Sequence, residues 1–188
     1  MQKLETAMAG LPAERRLLLP ELHLGAEIAW VPNLAEWPEL SRLCLGSSRY
    51  FLLELPSRPW TDQLINQLYE LSGRTGLVPV LAHIERYLKT QKQQHVDALL
   101  DLGVPVQVSA EPLLHTMQRG AVLRLLRERK AQLIASDAHD PVSRPPNLGS
   151  AMAVVRRKLG GGAVDSLAAQ SGALLSRFLE AFPEVRSI

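Results

Sequence analysis

The 188-residue chain has a single cysteine, Cys44, so it cannot close an internal disulfide. That usage fits a reducing compartment. Aromatic residues are scarce, three Phe, three Tyr and three Trp, and the formal charge is only +2. With few rings to stack on bases and no strong positive field, nucleic acid is not an expected partner. No apolar run approaches the roughly 20 residues of a membrane span, and the opening "MQKLETAMAG" lacks the apolar core of a signal peptide. Membrane insertion is therefore not expected, and the cytoplasm is the expected location. Low-complexity tracts are missing too. A composition of 46% hydrophobic and 21% charged residues describes one ordinary globular domain, long enough to bury most of its apolar surface. Two signatures of nucleophile and phosphate chemistry are absent: there is no G-x-S-x-G elbow and no G-x4-G-K-[ST] loop. "CLGSSR" (44–49) is one residue short of the cysteine-phosphatase loop and precedes a strand, which leaves Cys44 as a buried or half-buried thiol.

What is present is an alternation of short aliphatic runs with longer amphipathic ones. Strands are expected in "HLGAEIAW" (23–30), "RYFLLEL" (49–55), "LVPVLAH" (77–83), "VPVQVSA" (104–110) and "AQLIASD" (131–137). Helices are expected over 61–74, opened by a Thr or Asp cap and closed near Gly73 and Gly76, and over 93–103, closed by Gly103. Others follow from Pro112 to about Arg129, over 149–159, over 162–182 with a break near Gly172, and over 3–17. Pro32 and Pro38 make 31–45 irregular, and the arginine-rich "LRLLRERK" (123–130) reads as a solvated helix face.

The polar residues that end these strands, Glu27, Glu54, His83, Ser109 and Asp137, recur at intervals of 27, 29, 26 and 28 positions. A near-constant module of strand, loop, helix and loop is what a parallel β/α repeat produces. In such folds the carboxyl ends of the strands converge on one face, where sites are built. Glu27, Glu54, His83, Asp137 and His139 then share a rim. The competing reading is a doubly wound sheet with incidental polar strand ends, and four endings of metal-ligand type out of five argue against it. Carboxylates and neutral imidazoles suit Zn²⁺, Mn²⁺ or Fe²⁺. Paired metals of this kind lower the pKa of bound water and clamp a phosphoryl oxygen, so hydrolysis is the natural outcome. Arg86 and Arg144 leave the same rim, and arginine grips phosphate in bidentate fashion; a structural salt bridge is the alternative for each. His95 and His115 read as surface or packing residues, and His23 stands at the wrong end of its strand for the rim. Trp60 either lines the pocket or packs, and Glu85 either supports the site or pairs with a lysine.

The segments "GAEI", "SRYFLLEL", "PVLAHIERY", "VQV" and "IASDAHDPVSRPP", in this order and spacing, resemble the bacterial metal-dependent tyrosine phosphatases encoded with capsule and exopolysaccharide genes. That family belongs to the polymerase and histidinol phosphatase (PHP) superfamily. The resemblance implies an α/β fold, a distorted seven-stranded (β/α) barrel with two or three Mn²⁺ ions. It implies Glu27, Glu54, His83, Asp137 and His139 as metal ligands, with Glu54 bridging, and Arg86 and Arg144 as the catalytic arginines that hold the phosphate. The nucleophile would be a metal-bound hydroxide, and the partner the phosphotyrosine tail of a kinase that controls polysaccharide export. Family members begin with a strand ending in His-x-His and a second strand ending in another histidine; neither segment occurs here. The expectation is therefore a single PHP-type domain over 1–188, incomplete at its N-terminus, with five β/α modules and unpaired edges. "SAEPLL" also departs from the family pattern, and Glu111 has no assigned role. Two other functions stay open: a PHP phosphoesterase acting on a small molecule such as histidinol phosphate, and a catalytically impaired, shortened binding protein.

Overall fold

The structure is a computed structural model that describes residues 6, 8–19, 23–46 and 48–180, with backbone only for 174–180. Each of the five expected strand segments contains a strand: β1 (Glu27–Ala29), β2 (Tyr50–Glu54), β3 (Val78–Leu81), β4 (Gln107–Ser109) and β5 (Leu133–Ala135). All pairings are parallel. The order β1-β2-β3 is set by Leu52 opposite both Glu27 and Val80, and β4 pairs with β5 through Val108 opposite Ile134. An isolated parallel bridge between Leu81 and Val106 joins the two sheets. The strand order thus ascends without the reversal that marks a doubly wound sheet.

Pro79 occupies the middle of β3, a place where a missing N–H normally breaks a ladder. Val78 donates to Arg49 O on the β2 side (2.8 Å), and Leu81 donates to Pro105 O on the other side (2.9 Å). The N–H missing at Pro79 would face that second side below the level where the β4 segment begins to pair, so no hydrogen bond is lost. Burial on both faces gives β3 its near-continuous apolar sequence.

Helices cover the sheets. The helix expected over 3–17 is interrupted: Thr6, Met8 and Ala9 are helical, the chain turns at Gly10, and after Pro12 a single turn, α1 (Ala13–Arg16), follows; residues 3–5 and 7 lie outside the described set. Next, α2 (Asp62–Thr75) opens as its sequence predicts: Leu64 donates its N–H to the Thr61 hydroxyl (3.3 Å), and Gly76 closes the helix at φ 71°. Its Leu64, Leu68 and Leu71 pack with Phe51, Leu53 and Leu81 in the core, joined by Val96 and Leu99 from α3 (Gln93–Leu100). Fully burying each such side chain contributes roughly 1.5–3 kcal/mol.

The helix expected from Pro112 to Arg129 is instead two, α4 (Glu111–Leu114) and α5 (Arg119–Arg127). None of residues 115–120 is buried, so no apolar face holds that turn in register, and the backbone extends at His115 (φ −96°, ψ 122°). In the opposite sense, α7 (Gly161–Glu180) runs through Gly172 without the expected break, after α6 (Leu148–Leu159). Residues 181–182 of that expected helix lie outside the described set. Two 3-10 turns, Leu34–Glu36 and Leu40–Leu43, account for the irregular 31–45 segment. No described helix is long and apolar enough to cross a membrane.

Candidate metal centre

Glu54 is the last residue of β2, but Glu27 opens β1 where the sequence suggested that it ends a strand. The cause is local: residues 24–26 pair with the 43–46 loop (Ala26 N to Leu43 O, 3.3 Å), which delays the sheet pairing to Glu27. Glu27 pairs with Leu52 and Ala29 with Glu54, so both carboxylates stand on one face of the sheet, two residues apart. Leu81 of β3 pairs with Leu53, and strand alternation would send His83 to the opposite face from Glu54. His83 instead adopts the left-handed region (φ 33°, ψ 50°), which turns its imidazole back toward the two carboxylates. A non-glycine residue there is strained.

His83 is 1% exposed. Its Nε2 lies 2.7 Å from Glu27 Oε1 and 3.5 Å from Glu54 Oε1. Its Nδ1 is buried without a partner, so the only polar outlet of the ring is the side facing the carboxylates. One ligand atom from each of Glu27, Glu54 and His83 falls within 4.8 Å of the others. Around a first-row divalent ion with bonds of roughly 2.0–2.2 Å, ligand atoms stand about 3–4.4 Å apart, so the triad needs to close by only a few tenths of an ångström. Two hard oxygens and one imidazole suit Mn²⁺, Fe²⁺ or Zn²⁺.

The remaining rim residues form a second group. Asp137, also left-handed (φ 52°), turns its carboxylate onto two arginines, Arg86 and Arg144, which both donate to Oδ2. Arg86 links the two groups, with its Nη1 4.0 Å from Glu54 Oε1. His139 is half exposed, and its Nδ1 meets the Asp137 carbonyl at 3.0 Å. A carbonyl only accepts, so Nδ1 is the donor in this contact, which leaves Nε2 as the ring nitrogen not engaged by Asp137. Arg144 is fixed by the loop before it. The Asp140 carboxylate accepts from the Ser143 hydroxyl and from the N–H groups of Ser143 (2.7 Å) and Val142 (2.8 Å). Those bonds, the Ser143 hydroxyl first, hold the Asp140 carboxyl down at about 2. The five expected ligands are therefore divided: Glu27, Glu54 and His83 converge, while Asp137 and His139 stand with the arginines.

Two supporting residues, Tyr87 and Gln91, had no role assigned from the sequence. Tyr87 donates its hydroxyl to Leu55 O (2.6 Å), next to Glu54, and packs on Trp60 with ring centroids 5.2 Å apart. Burial, followed by the Glu54 charge, pushes its phenol up to about 12. Gln91 accepts from Trp60 N (2.8 Å) and donates to Ser57 O (3.3 Å) and Arg58 O (3.1 Å), which fixes the loop leaving β2. Trp60 is buried and donates its indole N–H to Pro56 O (2.9 Å), a packing role. The Glu85 carboxylate accepts from Ser109 N (3.2 Å) and so ties the turn after β3 to β4. His95 is buried and meets Asp62 (2.9 Å), whereas exposed His115 pairs with Glu111 (3.5 Å). Cys44 is buried, and desolvation raises its pKa.

The family model for capsular polysaccharide synthesis proteins CpsB/CapC matches residues 4–175. The tyrosine-protein phosphatase CpsB of Streptococcus agalactiae is 27% identical over 160 residues, covering 79% of this chain and 65% of that protein. The putative tyrosine-protein phosphatase CapC of Staphylococcus aureus is 31% identical over 134 residues, 66% of this chain and 50% of that protein. The chain thus spans just under two thirds of the streptococcal relative. Among solved structures, one from a study of YwqE of Bacillus subtilis and CpsB of Streptococcus pneumoniae, described as metal-dependent tyrosine phosphatases, superposes with a TM-score of 0.70 at 22% identity. That match covers 81% of this chain and 64% of the other. It shows a shared mixed α/β fold with parallel sheets.

Proposed function

This chain belongs to the CpsB/CapC capsular polysaccharide synthesis family, and from that membership we propose that it is a metal-dependent protein-tyrosine phosphatase. Its substrate in this reading is the phosphotyrosine tail of a capsule-regulating kinase. The observation that carries the proposal is the convergence of Glu27, Glu54 and His83 within 4.8 Å, linked through Arg86 to the pair of arginines on Asp137. A divalent-cation site and a phosphate grip side by side are the parts that phosphomonoester hydrolysis needs. A PHP-type β/α barrel assembled as one domain, and a cytoplasmic location, come with the reading; the ascending parallel strand order supports the first.

In this scheme Glu27, Glu54 and His83 would hold the metal, with Mn²⁺ as the proposed ion, and Asp137 and His139 would supply further ligands. The metal, when bound, supplies Lewis-acid activation of water and of the phosphoryl oxygen. The chain's own groups do the rest. Arg86 and Arg144 bind the phosphoryl oxygens and orient the ester, a role for which two guanidinium forks are suited. Both guanidinium groups now donate to the Asp137 carboxylate, so a substrate phosphate would compete with that carboxylate for them. Tyr87 and Gln91 keep the loop beside Glu54 in place.

The test is hydrolysis of a phosphotyrosine peptide with Mn²⁺, with and without chelator. Activity is expected to need the metal and to exceed that on histidinol phosphate. Activity that persists under chelation, or in the His83→Ala, Asp137→Ala double variant, would remove the proposal. A second reading, a non-catalytic binding protein, draws on the capture of Asp137 by the arginines. An ordered, near-stoichiometric multi-metal site in the 188-residue chain would count against it.

A further inference from the structure

We propose that the cavity of about 410 Å³ between Arg86 and the α4–α5 corner receives the aromatic ring of the phosphoester, with Met117 as the residue that favours an aryl over an alkyl ester. The inference rests on the phosphate role proposed above for Arg86 and Arg144. Both arginines and Asp137 line this cavity, so a phosphoryl group gripped by them opens directly into it. A second cavity, about 460 Å³ beside Trp30 and Pro56, also reaches Arg86, but Arg144 is not in its wall and Glu54 is. In an in-line displacement the entering and leaving oxygens stand on opposite sides of phosphorus. With the carboxylate–imidazole triad on one side, the ring of the leaving phenol lies on the other, toward Arg144. That is the side of the first cavity.

The walls there suit a ring. Leu88, Pro112 and Val122 supply apolar surface, and Met117 stands among the lining residues although it is 96% exposed. No packing demand explains an apolar residue at that position. It falls in the corner where the helix expected from the sequence breaks, and the break carries Met117 out over the cavity. An unbranched, polarisable thioether adapts to an aromatic edge or face better than any branched side chain does.

The experiment uses the full chain labelled with ¹³C at the methionine methyl groups, of which there are four, in buffer containing Mg²⁺. The Met117 signal is identified with Met117→Leu. The probes are phenylphosphonate and methylphosphonate. Phenylphosphonate is expected to move the Met117 methyl upfield by ring current, and methylphosphonate, which fills the same arginines without a ring, to leave it in place. Met117→Ala, at an exposed position, is expected to weaken phenylphosphonate binding about fivefold and leave methylphosphonate binding unchanged. If phenylphosphonate binds in competition with methylphosphonate while the Met117 methyl stays still, or the Trp30 indole shifts instead, the ring lies elsewhere; the inference fails and the arginine reading stands. If neither phosphonate binds, or both bind equally well to the Arg86→Ala, Arg144→Ala double variant, the arginine reading fails and takes the inference with it.

Discussion

Replacing Tyr87 by Phe removes one oxygen from the wall of the candidate site and leaves the ring packing intact. The residue is 4% exposed, and its hydroxyl donates to Leu55 O at 2.6 Å. Phe preserves the contacts with Trp60 and the core, so no large cavity forms, but the Leu55 carbonyl is left buried without its donor. An orphaned buried acceptor costs about 1–3 kcal/mol. For a chain of this size each kcal/mol moves Tm by roughly 2–4 °C, so the variant is expected to melt several degrees lower in calorimetry at pH 7. The difference should also depend on pH with a definite sign. The Tyr87 phenol is raised from its ordinary value of 10 to about 12 in the fold. A raised pKa contributes stability that is fully present below about pH 10 and is lost as pH rises through about 12. The gap between wild type and Tyr87→Phe should therefore narrow across that window. Glu54→Gln, which removes the second-ranked cause of the shift, should bring the phenolate titration to lower pH in absorbance at 295 nm. Equal melting temperatures at pH 7, or a gap that stays constant through pH 12, would refute the role assigned to this hydroxyl.

Gln91→Ala deletes three hydrogen bonds that hold the 57–60 loop; a loss of about 1–3 kcal/mol in urea unfolding is expected, with faster amide exchange at Trp60. Removing any one of Glu27, Glu54 or His83, by Gln, Gln or Ala, should weaken Mn²⁺ binding at least about tenfold in calorimetric titration, since each supplies one of three converging ligand atoms. Leu53→Ala, at a fully buried position between β1 and β3, should cost about 2–5 kcal/mol in the same urea experiment. Cys44, whose thiol burial pushes up, should resist a thiol reagent at pH 7 in the native chain and react at once in denaturant.

Much of the frame was legible in the residues. Runs of β-branched and aliphatic side chains locate all five strands, and Thr61 and Gly76 bound α2, because capping and φ > 0 are local requirements that particular side chains meet. The regular spacing of Glu54, His83, Ser109 and Asp137 forecast a parallel repeat with its polar ends on one rim. Less local features do not follow from composition. The run from Pro112 to Arg129 has helical composition throughout, yet the turn around His115 has nothing to pack against and gives way. Gly172 suggested a break that α7 does not make, since one glycine costs a helix only about 1 kcal/mol relative to alanine.

What the sequence alone determined, then, is which residue types arrive at the strand ends and in what order, since both follow from short-range periodicity. The tertiary structure decided how they meet. Left-handed backbone at His83 and Asp137 redirects each side chain, and only the surrounding packing sustains such strained conformations. The partition of the rim, with Glu27, Glu54 and His83 on one side and Asp137 between Arg86 and Arg144 on the other, depends on distances between residues that are up to 117 positions apart in the chain. No local propensity encodes those distances; sheet register and the packing behind it do.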